Sequence, residues 1–268
     1  MIYLSRKLHF SAAHVYWVDE WTEEENQRVF GLCSNRHGHG HDYVLEIMVR
    51  GELDPKSGIV VNITDIDRVA KALIESELDG KFLDREHPYF QEHMPTTENI
   101  VRYLWEALDG KFPDCELYQL ILRENHYLHA EKGRDSMVRL TRKYHFSAAH
   151  RLHSYLLSDE ENKRIFGKCN NPNGHGHNYY LEVTVQGEPD SVTGMVMNLA
   201  DLDHIVDEVV IKKFDHKHLN LDTEEFKDLN PTSDVVVKVI CEMLAPRIPK
   251  LFKVGLWETE KNYFEYYA

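Results

Sequence analysis

The chain has 268 residues, 42% of them hydrophobic and 11% aromatic, and its 31 Lys and Arg against 45 Asp and Glu leave a formal charge of −14. That length suits two modest domains with real cores, while the lack of an apolar run near membrane-spanning length excludes a bilayer segment and the acidic balance without a basic stripe excludes broad contact with a nucleic-acid backbone. Four cysteines make no disulfide framework, and Arg6, Lys7 and His9 interrupt the apolar residues at the N-terminus where a signal peptide would be continuous, so reduced thiols and a cytoplasmic location are expected.

Taken in chain order, "IYLSRKLHFSAAH" alternates like a strand, and "YVLEIMVRGEL" alternates again before the turn "DPKSG". "TDIDRVAKALIESEL" then places Ile66, Val69, Ala70, Leu73 and Ile74 at helical spacing behind Thr64 as the expected N-cap. "TTENIVRYLWEAL" repeats the pattern with Ile100, Tyr103, Leu104 and Leu108 as its buried stripe. "CELYQLILRE" and "YLHAEK" close the series as strands. The order is ββααββ, an antiparallel sheet with helices on one face, which is an α+β layer domain. "DEWTEEEN" and "SDEEN" are acidic because they start helices or face water. Cys115 and Cys241 are expected as small hydrophobes in a strand and a helix.

The whole order then recurs. "HFSAAH" stands at His9–His14 and at His145–His150, and the offset of 136 residues holds through Cys33 and Cys169, His39 and His175, His41 and His177, Asn62 and Asn198, Asp79 and Asp215, and Pro95 and Pro231. Near the C-terminus it slips to 134, aligning Glu124 with Glu258. The chain therefore reads as two copies of one domain, residues 1–132 and 137–268, with the polar stretch "HAEKGRDS" at His129–Ser136 as the linker.

Each copy carries a Cys and a His-x-His: "FGLCSNRHGHGHDY" and "FGKCNNPNGHGHNY". Residues i and i+2 of a strand share a face, so His39 and His41 aim two imidazoles at one point, with Gly40 leaving room between them. His14 supplies a third nitrogen from the first strand, and His150, His175 and His177 repeat the set. Three histidines on a zinc ion leave a fourth position open, the arrangement of a catalytic site; with Cys33 or Cys169 in that position, the zinc would instead be a structural staple. Farther on, "KKFDHKHLNLD" sets Asp215 beside His216, a pair able to relay a proton or simply a solvated loop cluster. The first copy keeps Asp79 but has Gly80 in place of the histidine.

With these motifs the chain resembles the 6-pyruvoyl-tetrahydropterin synthase family. The second copy does so through "HFSAAHRL", "FGKCNNPNGHGHNYYLEVTVQGE", "TGMVMNLADL", "FDHKHLNLD" and "LWETE", and the first through "HFSAAH", "FGLCSNRHGHGHDY", "SGIVVNITDID", "PTTENI" and "LRENHY". The resemblance implies tandem T-folds that form rings, with active sites at domain contacts of a homo-oligomer, and a small-molecule substrate, 7,8-dihydroneopterin triphosphate, from which triphosphate is lost. It further implies zinc on both histidine sets, Cys33 and Cys169 as catalytic thiols, Asp79 or Asp215 with His216 as relay partners, and Glu124 and Glu258 gripping the pterin. Thr96, Thr97 and Glu98 match the family's Thr-Thr-Glu, while Thr232, Ser233 and Asp234 depart from it by a shorter carboxylate. Magnesium would accompany the triphosphate, though no motif shows a site for it. The related 6-carboxytetrahydropterin synthases of the queuosine pathway, which act on the same substrate, typically have a shorter gap between the Cys and the His-x-His. A pterin-binding T-fold without turnover is the remaining alternative. A ring of three such domains would set like beside like and make the second copy the working half, pairing Cys169 with Asp215 and His216; a ring of four would alternate the copies and pair Cys33 with that relay.

Overall fold

The computed structural model describes residues 1–134 and 136–268. They fall into two compact units, residues 1–141 with 186–200 and residues 142–185 with 201–268. Among the described residues no helix is long and apolar enough to cross a membrane.

In the first unit β1 (Ile2–His14) and β2 (His39–Gly51) pair antiparallel over their full length, from Ile2 opposite Gly51 to His14 opposite His39. Between them lies α1 (Glu23–Phe30), which the ββααββ order omits: the Thr22 hydroxyl accepts from the Glu25 amide, and three glutamates in the first turn favour the positive end of the helix dipole. After β2 comes α2 (Ile63–Glu77), capped by Asn62, whose Oδ1 accepts from the Thr64 amide at 3.1 Å; the cap is Asn62 rather than the expected Thr64. Ile66, Ala70 and Ile74 are fully buried, with Val69 and Leu73 half-buried at the edge of the stripe. Two short helical turns, α3 (Leu83–Glu86) and α4 (Pro88–Glu92), lead to α5 (Thr97–Leu108), which buries Ile100, Val101, Leu104, Trp105 and Leu108. The strands β3 (Glu116–Asn125) and β4 (Leu128–Gly133) complete a sheet ordered β1-β2-β3-β4. Helix α2 packs on β1, and α5 on β3 and β4. Tyr43, Leu45, Ile47 and Val49 alternate inward along β2, each such burial contributing roughly 1.5–3 kcal/mol.

The second unit repeats the plan with β5 (Val138–His150), whose start counts with the first unit, α6 (Asp159–Phe166) and β6 (His175–Gly187). A helix follows in three pieces: α7 (Leu199–Val206), a π-type turn over Asp207–Ile211 and α8 (Lys212–Phe214). The two-residue β7 (Lys217–His218) runs parallel to β5, ahead of α9 (Leu219–Asp222), α10 (Ser233–Leu244), β8 (Leu251–Thr259) and β9 (Asn262–Tyr267). Its strand order is β5-β6-β8-β9. Both units are α+β, an antiparallel sheet carrying helices, as the periodicities predict. Most of the expected linker is strand, since β4 runs through Gly133, and Asp135 within that stretch lies outside the described residues. Cys241 is buried in α10, and Cys115 is half-buried just ahead of β3.

Candidate active site

The antiparallel register of β1 and β2 is what assembles the first histidine set. His14, the last residue of β1, stands opposite His39, the first of β2, and Ala12 stands opposite His41. Their side chains meet with His14 Nε2 and His39 Nε2 3.2 Å apart and ring centroids of 4.6, 4.9 and 5.2 Å among the three. Gly40 between them is required by close approach, because a Cβ there would lie 2.9 Å from the Ala12 carbonyl oxygen. The second set matches: His150 Nε2 is 3.2 Å from His175 Nε2, with centroids 4.6, 4.9 and 5.1 Å apart. In each set one donor nitrogen per residue lies within 4.8 Å of the others.

Three facts make these nitrogens suited to a metal. His14 and His150 are fully buried, and the Nε2 atoms of His41 and His177 are buried without a hydrogen-bond partner. His150 Nδ1 lies 2.8 Å from the Pro231 carbonyl oxygen. A carbonyl only accepts, so Nδ1 carries the proton and the Nε2 lone pair faces His175. Burial, then the neighbouring imidazoles, pushes His14 well below the ordinary imidazole range; burial is also the main cause that brings His150 down to about 4, and it lowers His39 and His175. Neutral imidazole is the ligating form. Neither Cys33 nor Cys169 belongs to either group of mutually close donors.

A carboxylate stands over each set. On β3, Glu124 is buried, accepts a hydrogen bond from Thr97 Oγ1 at 2.6 Å and lies 3.6 Å from His41 Nε2. On β8, Glu258 accepts from Ser233 Oγ at 2.6 Å and from Asn262 Nδ2 at 3.2 Å, with His177 Nε2 at 3.8 Å and His150 Nε2 at 3.9 Å. Burial acts to raise Glu258, and the Ser233 and Asn262 hydrogen bonds and the two imidazoles outweigh it, holding the carboxyl below its usual range. Thr97 and Ser233 thus play one part in the two halves.

Their neighbours do not. Thr96 caps α5, accepting from the Asn99 amide at 3.2 Å and donating to the Gly194 carbonyl at 2.6 Å; Glu98 is buried and accepts from the Val196 amide at 3.1 Å. Burial pushes Glu98 up to about 7. Thr232 caps α10 by accepting from Val235 at 3.4 Å, and Asp234 is exposed.

Cys33 and Cys169 occupy matching turns after α1 and α6, where their carbonyls accept from the Tyr16 and Leu152 amides at 2.9 Å in each case. The Cys33 side chain packs against Tyr16, Val18, Phe30 and Met195. The relay residues sit elsewhere, on turns that hydrogen-bond to the first strand of each repeat. Asp215 accepts from the Ser147 amide at 2.8 Å and pairs with His216 Nδ1 at 2.9 Å; Asp79 accepts from the Ser11 amide at 2.9 Å. His216 and His177 line one cavity of about 510 Å³, and Gly80 and His41 line its counterpart of about 520 Å³. Sequence reasoning missed Tyr43 and Tyr179, whose hydroxyls lie 3.2 and 3.3 Å from His14 Nδ1 and His150 Nδ1. The signal was present, for His39, His41 and Tyr43 continue one i, i+2 face. It also missed the parts played by the Pro231 carbonyl and by the segment 194–198, which act through main-chain groups although "TGMVMNLADL" stands out in the sequence.

Comparison with known proteins matches the sequence to a family. The sequence profile of the family described as 6-pyruvoyl tetrahydropterin synthase fits residues 3–133 and again 139–268. The human 6-pyruvoyl tetrahydrobiopterin synthase is 48% identical over 136 residues, 50% of this chain and 94% of its own length. A putative 6-carboxy-5,6,7,8-tetrahydropterin synthase of Archaeoglobus fulgidus is 38% identical over 91 residues, 34% of this chain and 73% of its own. Among solved structures, the 6-pyruvoyl tetrahydropterin synthase of Caenorhabditis elegans aligns at 46% identity and a TM-score of 0.48, covering 50% of this chain and 98% of that one.

Proposed function

The chain belongs to the 6-pyruvoyl tetrahydropterin synthase family of pterin-processing lyases, matched once by each half, and from that premise we propose that it is a zinc-dependent lyase that eliminates triphosphate from 7,8-dihydroneopterin triphosphate. The observation that carries the reading is the paired histidine sets, each with one fully buried imidazole, an unpartnered Nε2 and a carboxylate within 4 Å. His14, His39 and His41, and His150, His175 and His177, would hold zinc, which when bound supplies Lewis acidity to the side-chain hydroxyls of the substrate. Absence of Cys33 and Cys169 from the donor groups favours an open position over a structural staple.

The chain's own residues take the remaining roles. Glu124 and Glu258, oriented by Thr97 and Ser233, would accept two donors from the pterin's amidine edge. The thiolate of Cys33 or Cys169 would take the proton that leaves the side-chain carbon, becoming the thiol, and His216, oriented by Asp215 through its Nδ1, would pass that proton on. The carbon–oxygen bond to triphosphate then breaks and the leaving group departs with the electron pair; the remaining steps are internal tautomerisations that need no external oxidant. His216 carries a specific argument for this role: it is held at φ 56°, a conformation that costs a non-glycine residue roughly 1–2 kcal/mol. The match to a putative 6-carboxytetrahydropterin synthase supports a second reading on the same substrate.

Incubating the zinc-loaded chain with 7,8-dihydroneopterin triphosphate and weighing the product tests the proposal. The mass of the 6-pyruvoyl product with free triphosphate is expected. The 6-carboxy mass would favour the second reading, and pterin binding without turnover would reduce the chain to a binding module.

A further inference from the structure

The two histidine sets are alike on the side that faces a metal and differ behind it. His14 Nε2 and His150 Nε2 each lie 3.2 Å from the Nε2 of the next histidine, His39 or His175, so a single hydrogen bond joins each pair. A neutral imidazole carries one proton, and the partner of one nitrogen decides whether the other keeps it. The group behind Nδ1 therefore sets the direction of each pair.

Behind His150 that group is a carbonyl. The Pro231 oxygen stands 2.8 Å from Nδ1 and can only accept, so the proton is on Nδ1 and the Nε2 lone pair accepts from His175. Behind His14, among the described residues, the one hydrogen-bond partner of Nδ1 is the Tyr43 hydroxyl at 3.2 Å, and His14 is likewise the one partner of that fully buried hydroxyl. A buried O–H with no other acceptor donates to Nδ1, which leaves the proton of His14 on Nε2, directed at His39. Tyr179 stands 3.3 Å from His150 Nδ1 in the same way, so the carbonyl is the difference.

A side chain accounts for that carbonyl. Residues 94–96 and 230–232 make one turn, the Thr96 amide donating to the Met94 carbonyl and the Thr232 amide to that of Asn230, both at 2.8 Å. In the second repeat Asn230 Oδ1 also accepts from the His153 amide at 3.0 Å, which ties the turn to the segment that follows His150. Met94 offers no such acceptor; it packs against the cluster of Tyr16, Val18, Phe30 and Met195, and its carbonyl accepts from Asn99 Nδ2 at 2.9 Å. Val235 stands in the place of Asn99 and has no side-chain donor.

A metal held by the facing nitrogens needs the Nε2 lone pair of both paired histidines. In the second set His150 already presents its own, and only His175 moves its proton, to an Nδ1 that has no hydrogen-bond partner to lose. In the first, His14 must take its proton onto Nδ1 against the Tyr43 hydroxyl, which then turns to accept and keeps a buried O–H that donates to nothing. We infer that the two sets hold their protons in opposite directions before metal binds and that the second set binds zinc more tightly, with Asn230 as its positioning residue. Zinc as the metal rests on the proposed function; the proton directions do not.

Proton–nitrogen correlation spectra of the metal-free, full-length chain labelled at histidine read the tautomers. His150 is expected with its proton on Nδ1 and His14 with its proton on Nε2, each assigned by the signal lost in His150→Ala or His14→Ala. Zinc titration of the same chain against a competing chelator should resolve two affinities roughly 10–100-fold apart, the tighter one missing in His175→Ala and the weaker one in His39→Ala. Asn230→Ala, checked for an unchanged circular dichroism spectrum, should bring the tight site down toward the weak one and move the His150 proton, whereas Asn230→Asp, which keeps the acceptor, should do neither. One tautomer common to His14 and His150, a tighter first set, or an Asn230→Ala chain that binds as before overturns the inference. Two equal affinities overturn it and leave the zinc reading standing, while a chain that takes up no zinc overturns both.

Discussion

At position 80 the first repeat turns on a glycine, and at position 216 the second makes the same turn on a histidine. The backbone is common to both: Gly80 donates to the Ser11 carbonyl at 2.8 Å and His216 to that of Ser147 at 2.6 Å, with φ at 71° and 56°. Glycine is the residue that such a turn selects by itself, so the histidine is retained against its local preference. The contrast runs the other way at positions 98 and 234, where the first repeat buries a full-length glutamate under the 194–198 segment and the second exposes a shorter aspartate. Each repeat has relaxed the part that the other keeps, while both histidine sets remain whole.

The largest expected effect concerns which thiol works. The first repeat retains Thr97, Glu98 and Glu124 together, and its site already meets residues of the second repeat. Cys33→Ala is therefore expected to lower turnover by roughly 10²–10⁴, the scale of a lost proton-transfer base, with Cys169→Ala leaving most of it. Steady-state rates showing loss only in Cys169→Ala would break the comparison and place the working half in the second repeat.

Glu98 gives the first repeat a pH signature. Burial raises its folded carboxyl from 4.5 to about 7, so between those values the folded chain keeps a proton that the unfolded chain releases. Stability should fall as pH rises through that window, by about 3 kcal/mol in all, and level off above it. Denaturation midpoints measured from pH 4.5 to 8 should show this slope, and Glu98→Gln should flatten it while keeping an acceptor for the Val196 amide.

The anchors sharpen the comparison further. Glu124→Ala and Glu258→Ala should each weaken a pterin analogue by roughly 1.5–3 kcal/mol per charge-assisted contact, with bound zinc unchanged. Calorimetric titration that responds to Glu124 alone would mean that the second pocket no longer takes a pterin. Smallest of all, His216→Gly should stabilise the chain by roughly 1 kcal/mol through relief of its backbone, read as a shift in the denaturation midpoint, and Gly80→His should cost about as much.

The sequence carried the elements with strong period and the residues with strong chemistry. Strand β1 matches its alternating stretch residue for residue, and His14 joins His39 and His41 because an antiparallel register leaves them little choice. Less was legible where side chains carry no signal. Helix α1 lacks a long apolar stripe, since Asn26 and Phe30 alone are buried on it, so the acidic stretch reads equally as a helix start or a solvent-facing run and the ββααββ order omits it. The cap of α2 fell to Asn62 because an Asx side chain reaches the amide two residues on as well as Thr64 would have reached farther ones. The Pro231 carbonyl and the Gly194 and Val196 backbone groups act through main chain, which no motif records.

That both repeats hold an open, three-nitrogen zinc site is the claim on which the rest depends. X-ray absorption at the zinc edge of the reconstituted full-length chain, with metal content determined on the same sample, addresses it directly. Two zinc ions per chain, one for each histidine set, in a shell of nitrogen and oxygen alone, is the predicted result. A sulfur scatterer in that shell, or a chain that binds no zinc, would contradict it.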